Sequence, residues 1–261
     1  MLFQFLALSA IIEHMSEIDS ARQGHLHPLS IIIKDIGVIF RDMGFAVADG
    51  PEIETEHYNF DSLNIPKWHP ARDMWDTFWL KPKDAGKLLR THTSPVQIRY
   101  MESNKPPIRI ICPGKVYRHE ATDATHEAQF YQLEGLLVEE NASLAMMKGV
   151  LETFFSRFFG TKVGIRLRPS YFPFVEPGVE ADMTCVKCEG KGCSVCKNTG
   201  WIEIMGAGMV HPKVLEWGGI NPKQYRGFAF GMGIDRLAIM KYGIDDVRLL
   251  YQGDLRLTNQ F

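Results

Sequence analysis

Apolar residues recur at helical spacing in the segment 29–44, where isoleucine, leucine and phenylalanine side chains occupy one face of a predicted helix. Gly44 ends this pattern, as a helix C-cap residue does. Further helical patterns lie at 95–102, 144–159 and 234–242. The first of these begins with Pro95, and proline suits the first helical position because its missing N–H has no partner there. The sequence therefore predicts helices separated by long non-helical stretches.

Strand patterns occupy several of the stretches between these helices. They lie at 45–48, 88–94, 108–112, 114–118, 130–138, 163–169, 201–210 and 227–233. The polar segment 119–129 separates the strands 114–118 and 130–138. It is about as long as hairpin loops become before the length itself indicates a functional role. Because strands occur in runs and helices do not alternate regularly with them, the pattern favours an α+β domain on an antiparallel sheet over a doubly wound fold.

Composition narrows the class of protein without identifying it. The 261 residues are 45% hydrophobic, which is typical of a globular chain, and the net charge of -2 indicates no general attraction to nucleic acid. The apolar residues 1–12 are fewer than the ~20 that a bilayer span requires. We therefore expect a cytoplasmic protein with no membrane partner, in which residues 1–24 form a short N-terminal helix or a truncated extension.

A polar loop between two predicted strands carries the first candidate chemistry. Arg118 begins this loop, and the carboxylates of Glu120 and Glu134 lie in and beyond it. A guanidinium group can bind a phosphate through two parallel hydrogen bonds, while carboxylates recognise amines. An isolated Arg-x-Glu is more often a solvated surface pair of little energetic value.

A glycine-rich strand carries the second candidate site. The segment 227–233 contains three glycines, and Arg236 follows in the predicted helix. Glycine allows a strand backbone to approach a ligand closely. Rossmann-type turns look similar, but the order of strand, glycines and then a helical arginine differs from theirs. Together with Arg118, Arg236 supplies two arginines for one triphosphate.

Four of the five cysteines form two Cys-x-x-Cys pairs, at Cys185, Cys188, Cys193 and Cys196. Each such pair can offer two thiolates to one tetrahedral Zn²⁺. The spacer is shorter than the ~15–20 residues usual between paired knuckles, so Gly190 and Gly192 are expected to permit a tight reversal. This spacing favours structural zinc over free thiols. Cys112 stands apart and is predicted to be a buried strand residue.

These segments resemble the three sequence motifs of class II aminoacyl-tRNA synthetases. Residues 44–54 resemble motif 1, residues 116–135 motif 2 and residues 227–237 motif 3. A closer resemblance, to the bacterial phenylalanyl-tRNA synthetase alpha subunits, extends over residues 25–261 and is carried by 58–66, 69–78, 90–95, 171–177 and 208–212. It implies a class II catalytic domain over 25–261, with a mainly antiparallel sheet flanked by helices and a small Cys-rich, zinc-binding insertion over 184–201.

The resemblance implies an enzyme of protein biosynthesis that activates L-phenylalanine with ATP and transfers it to tRNA(Phe). It also implies ATP and Mg²⁺ as requirements and a beta subunit as partner in a heterotetramer. The nucleotide-binding residues would be Arg118, Glu120, His126, Phe130 and Arg236, of which Arg118 and Arg236 would be catalytic. Glu203 would be a magnesium ligand by analogy with other class II sheets.

The same resemblance implies a binding site for phenylalanine. Trp75, His92, Ser94, Gln132 and Glu134 would hold the amino and carboxylate ends, and Phe172, Phe174 and Ala229 would enclose the ring. Ala229 at the far end would leave little room for a para-hydroxyl group, and a buried hydroxyl without a partner costs ~1–3 kcal/mol. Tyrosine is therefore expected to be disfavoured.

The sequence departs from the family in two places. Residues 1–24 are much shorter than the coiled-coil arm with which full-length alpha subunits hold tRNA, and Asp235 stands where the family usually has glutamate. A non-enzymatic, synthetase-like interaction or RNA-binding module is therefore an alternative. Pyrophosphate exchange dependent on phenylalanine distinguishes the two, and the intact set of nucleotide-binding residues favours the enzyme.

Overall fold

A computed structural model describes residues 24–70, 72, 76–82 and 86–261. Its strands are β1 (Ala46–Val47), β2 (Ile53–Thr55), β3 (Lys87–Leu89), β4 (Ile108–Tyr117), β5 (Gln129–Glu139), β6 (Ile165–Phe172), β7 (Val175–Thr184), β8 (Trp201–Val210) and β9 (Arg226–Gly233). Seven of them form one sheet in the order β1-β4-β5-β9-β8-β7-β6, and β2 pairs with β3 separately. Apart from the short parallel pair of β1 with β4, neighbouring strands of the large sheet are antiparallel. The predicted α+β class is confirmed.

The helices agree closely with the helical patterns of the sequence. The structure has α1 (Pro28–Asp42), α2 (Glu56–Asn59), α3 (Pro95–Ser103), α4 (Leu144–Phe159), α5 (Pro212–Trp217), α6 (Ile234–Tyr242) and α7 (Leu255–Thr258), with 3₁₀ helices at Asp61–Leu63 and Val247–Leu250. Ser143 caps α4 by accepting a hydrogen bond from the Met146 N–H. The short helices α2, α5 and α7 were not predicted, because a single turn shows no helical periodicity.

Two hydrophobic clusters lie on opposite faces of the large sheet. Adjacent strand residues point to opposite faces, so Ile111 joins the cluster of α1, α4 and α6, while Ile110 joins the cluster that includes α3 and α5. Phe40, Phe154 and Phe230 lie at the centre of the first cluster and are fully buried. The second face combines apolar residues with the polar side chains described below.

Two strand predictions were wrong in detail. The segments 108–112 and 114–118 form one strand, β4, that runs through Pro113. Its neighbour β1 ends level with Ile111, so Pro113 lies where β4 is an edge strand, a position at which sheets tolerate proline. Strand β3 also ends at Leu89, earlier than predicted, and the chain then bends through 91–93 before α3 begins.

Strand β7 was not predicted, since Pro177, Gly178 and three acidic residues obscure its pattern. It forms because it lies between β6 and β8, and because its acidic side chains have basic partners. Asp182 is buried and accepts hydrogen bonds from Arg166 and Arg168 at 2.6 and 2.8 Å. Such pairing allows a carboxylate to occupy a buried strand position.

The predicted N-terminal element over residues 1–24 lies, except for Gly24, outside the described residues. Among the helices of the described part, none has the length and apolar character needed to cross a membrane.

Candidate active site

A cavity of about 260 Å³ opens on the face of the sheet formed by β5, β8 and β9. The predicted substrate-binding residues that line it are His92, Ser94, Gln132, Glu134, Phe172, Phe174 and Ala229, and Arg118 lies at its border. Strand pairing places several of them on one face, because Glu134 is opposite Gly231 and Leu136 is opposite Ala229. Side chains two residues apart on paired strands share a face.

Two glycines keep this cavity open. A Cβ atom at Gly231 would lie 2.8 Å from Gln132 Nε2 and 3.0 Å from Glu134 Oε2. A Cβ atom at Gly206 would lie 2.8 Å from the Phe172 ring. The two distances of 2.8 Å are shorter than real Cβ contacts, so residues 206 and 231 must be glycine for Gln132 and Phe172 to keep their positions.

Glu134 is the buried carboxylate of the cavity. It accepts hydrogen bonds from Ser94 Oγ at 2.7 Å, Gln97 Nε2 at 2.5 Å and Gln132 Nε2 at 3.2 Å. Burial raises the pKa of Glu134 to about 7, although the hydrogen bonds from Ser94, Gln97 and Thr93 act in the opposite direction. A cation bound beside this carboxylate would favour its ionised form.

Gln132 adds a second acceptor to the same end of the cavity. Its Oε1 atom is buried and has no hydrogen-bond partner among the described residues. A buried polar atom without a partner costs roughly 1–3 kcal/mol. The ammonium group of an amino acid carries three donors and no acceptor, so it could satisfy both Gln132 Oε1 and Glu134.

Aromatic side chains form the opposite wall. The Phe172 and Phe174 rings stack with centroids 5.9 Å apart, and the His92 ring lies 6.4 Å from that of Phe174. His92 Nε2 lies 3.1 Å from the Asn59 carbonyl oxygen. Burial, and then the charge of Arg118, lower the pKa of His92 to about 3. His92 is therefore neutral at pH 7 and donates its Nε2–H to Asn59.

A second cavity, of about 210 Å³, adjoins the first at Arg118. The predicted nucleotide-binding residues line it, namely Arg118, Glu120, His126, Phe130 and Arg236. Arg118 Nε donates to the Thr91 carbonyl at 3.1 Å, and its guanidinium carbon lies 5.1 Å from the Phe130 ring centroid. These contacts hold Arg118 between the two cavities, where it can contact ligands in both.

Of the predicted site residues that the structure describes, Glu203 does not line either cavity. The predicted residue Trp75 lies outside the described residues. Glu203 is on β8, where its side chain is 58% exposed and accepts a hydrogen bond from Arg168 Nη2 at 2.8 Å. Gln97 was not among the predicted site residues, although it lies on α3 and donates a hydrogen bond to Glu134. Its position three residues after Ser94 at a predicted helix start was a usable signal, since residues at this spacing share a helix face.

The four clustered cysteines lie in the connection between β7 and β8. Their Sγ atoms are all within 4.8 Å of one another, and three of the pairs are 3.7 to 3.8 Å apart. A tetrahedron with Zn–S bonds of about 2.3 Å has sulfur–sulfur edges of about 3.8 Å. The predicted glycine reversals are present, with φ of 80° at Gly190 and 97° at Gly192. The donor set therefore fits a tetrahedral metal ion.

Backbone N–H groups also point at these sulfur atoms. Gly192 N–H donates to Cys188 Sγ at 3.2 Å, while Cys193 N–H and Gly200 N–H donate to Cys196 Sγ at 3.1 and 3.3 Å. Such donors stabilise thiolates, the form that binds metal. Cys112, as predicted, is instead a buried residue of β4.

Comparison with known proteins gives matches over nearly the whole chain. Residues 12–261 match the family model of the tRNA synthetases class II core domain (F). The chain is 58% identical over 240 residues to a phenylalanine--tRNA ligase alpha subunit of Bacillus pumilus, and 57% identical over 240 residues to that of Bacillus subtilis. In both cases the match covers 91% of this chain and 69% of the relative.

The phenylalanine--tRNA ligase alpha subunit of Dehalococcoides mccartyi is 57% identical over 242 residues, a match that covers 91% of this chain and 70% of that relative. Among solved structures, the crystal structure of pyrrolysyl-tRNA synthetase from Desulfitobacterium hafniense is similar with a TM-score of 0.66. That similarity covers 94% of this chain and 80% of the other at 18% identity, so it supports the fold alone.

Proposed function

Because the chain belongs to the phenylalanine--tRNA ligase alpha subunits of the class II synthetase family, we propose that its two adjoining cavities form phenylalanyl-adenylate from phenylalanine and ATP. Family membership makes the chain an enzyme of tRNA(Phe) aminoacylation and excludes the non-enzymatic alternative. The observation that carries the proposal is the position of Arg118, which lines both cavities. The reaction joins a carboxylate to a phosphorus atom, and a cation at this junction can bind both groups.

The first cavity suits phenylalanine at both ends. Gln132 Oε1 and the Glu134 carboxylate offer acceptors to the ammonium group, and the Phe172 and Phe174 rings contact the side chain. Aromatic pairs contribute ~0.5–1.5 kcal/mol beyond the burial of their area. The buried methyl group of Ala229 limits the space beyond the ring. This combination favours an amino acid with an unsubstituted aromatic side chain.

The second cavity suits ATP. Arg118 and Arg236 bring two guanidinium groups to the phosphates, Phe130 offers a ring for stacking on adenine, and Glu120 and His126 offer polar contacts to the nucleotide. A carboxylate oxygen of phenylalanine attacks the α-phosphorus, the bond to the bridging oxygen breaks, and pyrophosphate leaves. No general base is required, because the nucleophile is already ionised. Arg118 stabilises the charge that develops on the phosphate oxygens.

Magnesium neutralises phosphate charge when it is bound with ATP. Glu203 remains the predicted ligand, but its hydrogen bond to Arg168 and its place outside both cavities give that assignment no support.

We further propose that residues 25–261 form the catalytic domain and that 184–201 is an insertion that binds structural zinc through Cys185, Cys188, Cys193 and Cys196. The sulfur spacing supports a tetrahedral ion, and three backbone N–H groups directed at sulfur support thiolates. The word alpha in the names of the relatives supports a beta subunit as partner. We propose that the two subunits form a heterotetramer that binds tRNA(Phe) in the cytoplasm.

Pyrophosphate exchange in the presence of the beta subunit tests the adenylation site. We expect exchange that depends on phenylalanine and falls by roughly 10²- to 10³-fold in Arg118→Ala, the loss typical when one charge-stabilising donor is removed. Arg109→Ala is the matched control, because Arg109 lies on β4, the strand that leads to Arg118, but binds Glu139, away from both cavities. Equal activity in the two variants would reject the assignment of Arg118.

A further inference from the structure

The segment that follows α6 folds back over the second cavity. Gly243, with φ of 69°, ends α6, and the 3₁₀ helix Val247–Leu250 follows. Val247 lines the cavity, and its N–H donates to the Ala124 carbonyl at 2.9 Å. Ala124 belongs to the loop that begins at Arg118. Residues 243–251, here called the C-terminal clamp, therefore contact the loop between β4 and β5.

The clamp also contacts the start of α6, which carries Arg236. The Tyr251 hydroxyl donates a short hydrogen bond to Asp235 Oδ1, while Asp235 Oδ2 accepts from the Tyr131 N–H at 2.7 Å. Asp235 is buried and directly precedes Arg236 in the first turn of α6. One carboxylate thus joins the clamp, strand β5 and the helix that presents the second arginine.

The clamp is itself held in place from α1. His27 Nε2 lies 2.9 Å from the Leu250 carbonyl oxygen, so its N–H donates to that carbonyl. The Val247 and Leu250 side chains are buried in the cluster that contains α1 and α6. Because the clamp packs against the core, Tyr251 offers its hydroxyl to Asp235 from a fixed position.

We propose that Tyr251 is a positioning residue for ATP binding, acting through Asp235 to hold Arg236 at the second cavity. The inference rests on the proposed role of Arg236 in binding the nucleotide. A buried carboxylate needs donors, and Asp235 obtains one from β5 and one from the clamp. Without the Tyr251 hydroxyl, Asp235 must rotate or recruit water, and the first turn of α6 loses its connection to the clamp.

Tyr251→Phe in the complex with the beta subunit tests this inference, because only the hydroxyl is removed. We expect the KM for ATP in pyrophosphate exchange to rise roughly tenfold, as suits loss of a hydrogen bond to a charged group, while the KM for phenylalanine stays within about twofold. Tyr242→Phe is the matched control, since it removes a hydroxyl at the other end of α6. A rise in both KM values, or the same rise in the control, would overturn the proposal.

A double-mutant cycle shows whether Tyr251 acts through Asp235. Asp235→Asn is expected to raise the KM for ATP, and adding Tyr251→Phe to it is expected to raise that KM no further. Additive effects would mean that Tyr251 acts by another route, and would overturn the proposal.

Arg236→Lys separates this inference from the function on which it rests, since lysine keeps the charge but loses the planar fork. A higher KM for ATP in Arg236→Lys together with an unchanged KM in Tyr251→Phe would overturn the positioning role alone. An unchanged KM in Arg236→Lys would overturn the nucleotide-binding role of Arg236 and the inference with it.

Discussion

Ser94 and Glu134 are joined by a 2.7 Å hydrogen bond between two segments of different character, the start of helix α3 and the middle of strand β5. Gln97 reinforces this connection one helical turn later, at 2.5 Å from the same carboxylate oxygen. The carboxylate is buried and carries no salt bridge from a described arginine or lysine within the cavity. The cavity therefore holds an acceptor whose charge is stabilised by neutral donors until a cationic ligand arrives.

Phenylalanine binding is expected to weaken as the pH falls below about 7, because the pKa of Glu134 in the free enzyme is raised to about 7. Protonated Glu134 cannot pair with the ammonium group of the substrate. Pyrophosphate exchange measured from pH 6 to pH 8 should show a KM for phenylalanine that rises at the acidic end. In Glu134→Gln the KM should be higher throughout and independent of pH in this range. An equally steep pH dependence in that variant would assign the titration to another group.

The same carboxyl group should affect the free energy of unfolding. Its pKa is about 7 in the folded state and 4.5 as the ordinary value, so between these values the folded state binds more protons than the unfolded state. The contribution of Glu134 to the free energy of unfolding therefore decreases as the pH rises from about 4.5 to about 7. Urea unfolding at pH 5 and pH 8 should show a smaller difference in Glu134→Gln than in the wild type. A larger difference in the variant would contradict the predicted direction in which Glu134 changes the free energy of unfolding with pH.

Ala229→Gly is expected to admit para-substituted phenylalanine analogues. Ala229 is buried at the wall of the first cavity, and removal of its methyl group enlarges the space beyond the substrate ring. Exchange with para-substituted analogues should rise relative to phenylalanine by roughly tenfold, the scale on which small volume changes in apolar pockets act. Ala181→Gly, a buried alanine on β7 in the opposite cluster, is the control. An unchanged ratio in Ala229→Gly would refute the orientation of the substrate ring.

The local patterns of the sequence predicted most elements of the fold, but not the contacts between distant segments. Helix α1 and strand β8 have strong periodic patterns of their own, so their existence and type could be predicted. Strand β7 could not, because Asp182 becomes compatible with a buried strand position only when it pairs with Arg166 and Arg168 of β6. The local sequence pattern of one strand does not show which residues of another strand will pair with it.

The same distinction applies to the site. Arg118 and Arg236 could be found because each lies in a recognisable motif, and the structure brings both to one cavity. Tyr251 could not be found, since its contact with Asp235 depends on the turn at Gly243 and on the packing of the 3₁₀ helix against the core. Glu203 was selected by analogy alone, and its hydrogen bond to Arg168 could be recognised only from the pairing of β6, β7 and β8.

Gly231→Ala is expected to impair phenylalanine binding more than ATP binding. The added Cβ atom would lie 2.8 Å from Gln132 Nε2 and 3.0 Å from Glu134 Oε2, so both side chains must leave their present positions. The KM for phenylalanine should rise at least tenfold, and the KM for ATP should change little. Gly149→Ala is the control, because a Cβ atom there meets nothing within 4 Å in helix α4 and should slightly stabilise the protein. Equal KM values for phenylalanine in the two variants would exclude this crowding.

Removal of the proposed zinc ion is expected to destabilise the protein without first abolishing adenylation. The four sulfur atoms lie in the β7–β8 connection, and Cys185 and Cys196 are buried in the hydrophobic cluster that contains α1, α4 and α6. Elemental analysis of protein purified without chelator should give one zinc per chain. Cys188→Ser should lose the zinc and lower the melting temperature, while Cys112→Ala should keep the zinc, since Cys112 lies in β4.

Adenylation measured well below the melting temperature should persist in Cys188→Ser, because these cysteines do not line the cavities. Zinc-free wild-type protein, or an immediate loss of exchange with the zinc, would contradict a purely structural metal site.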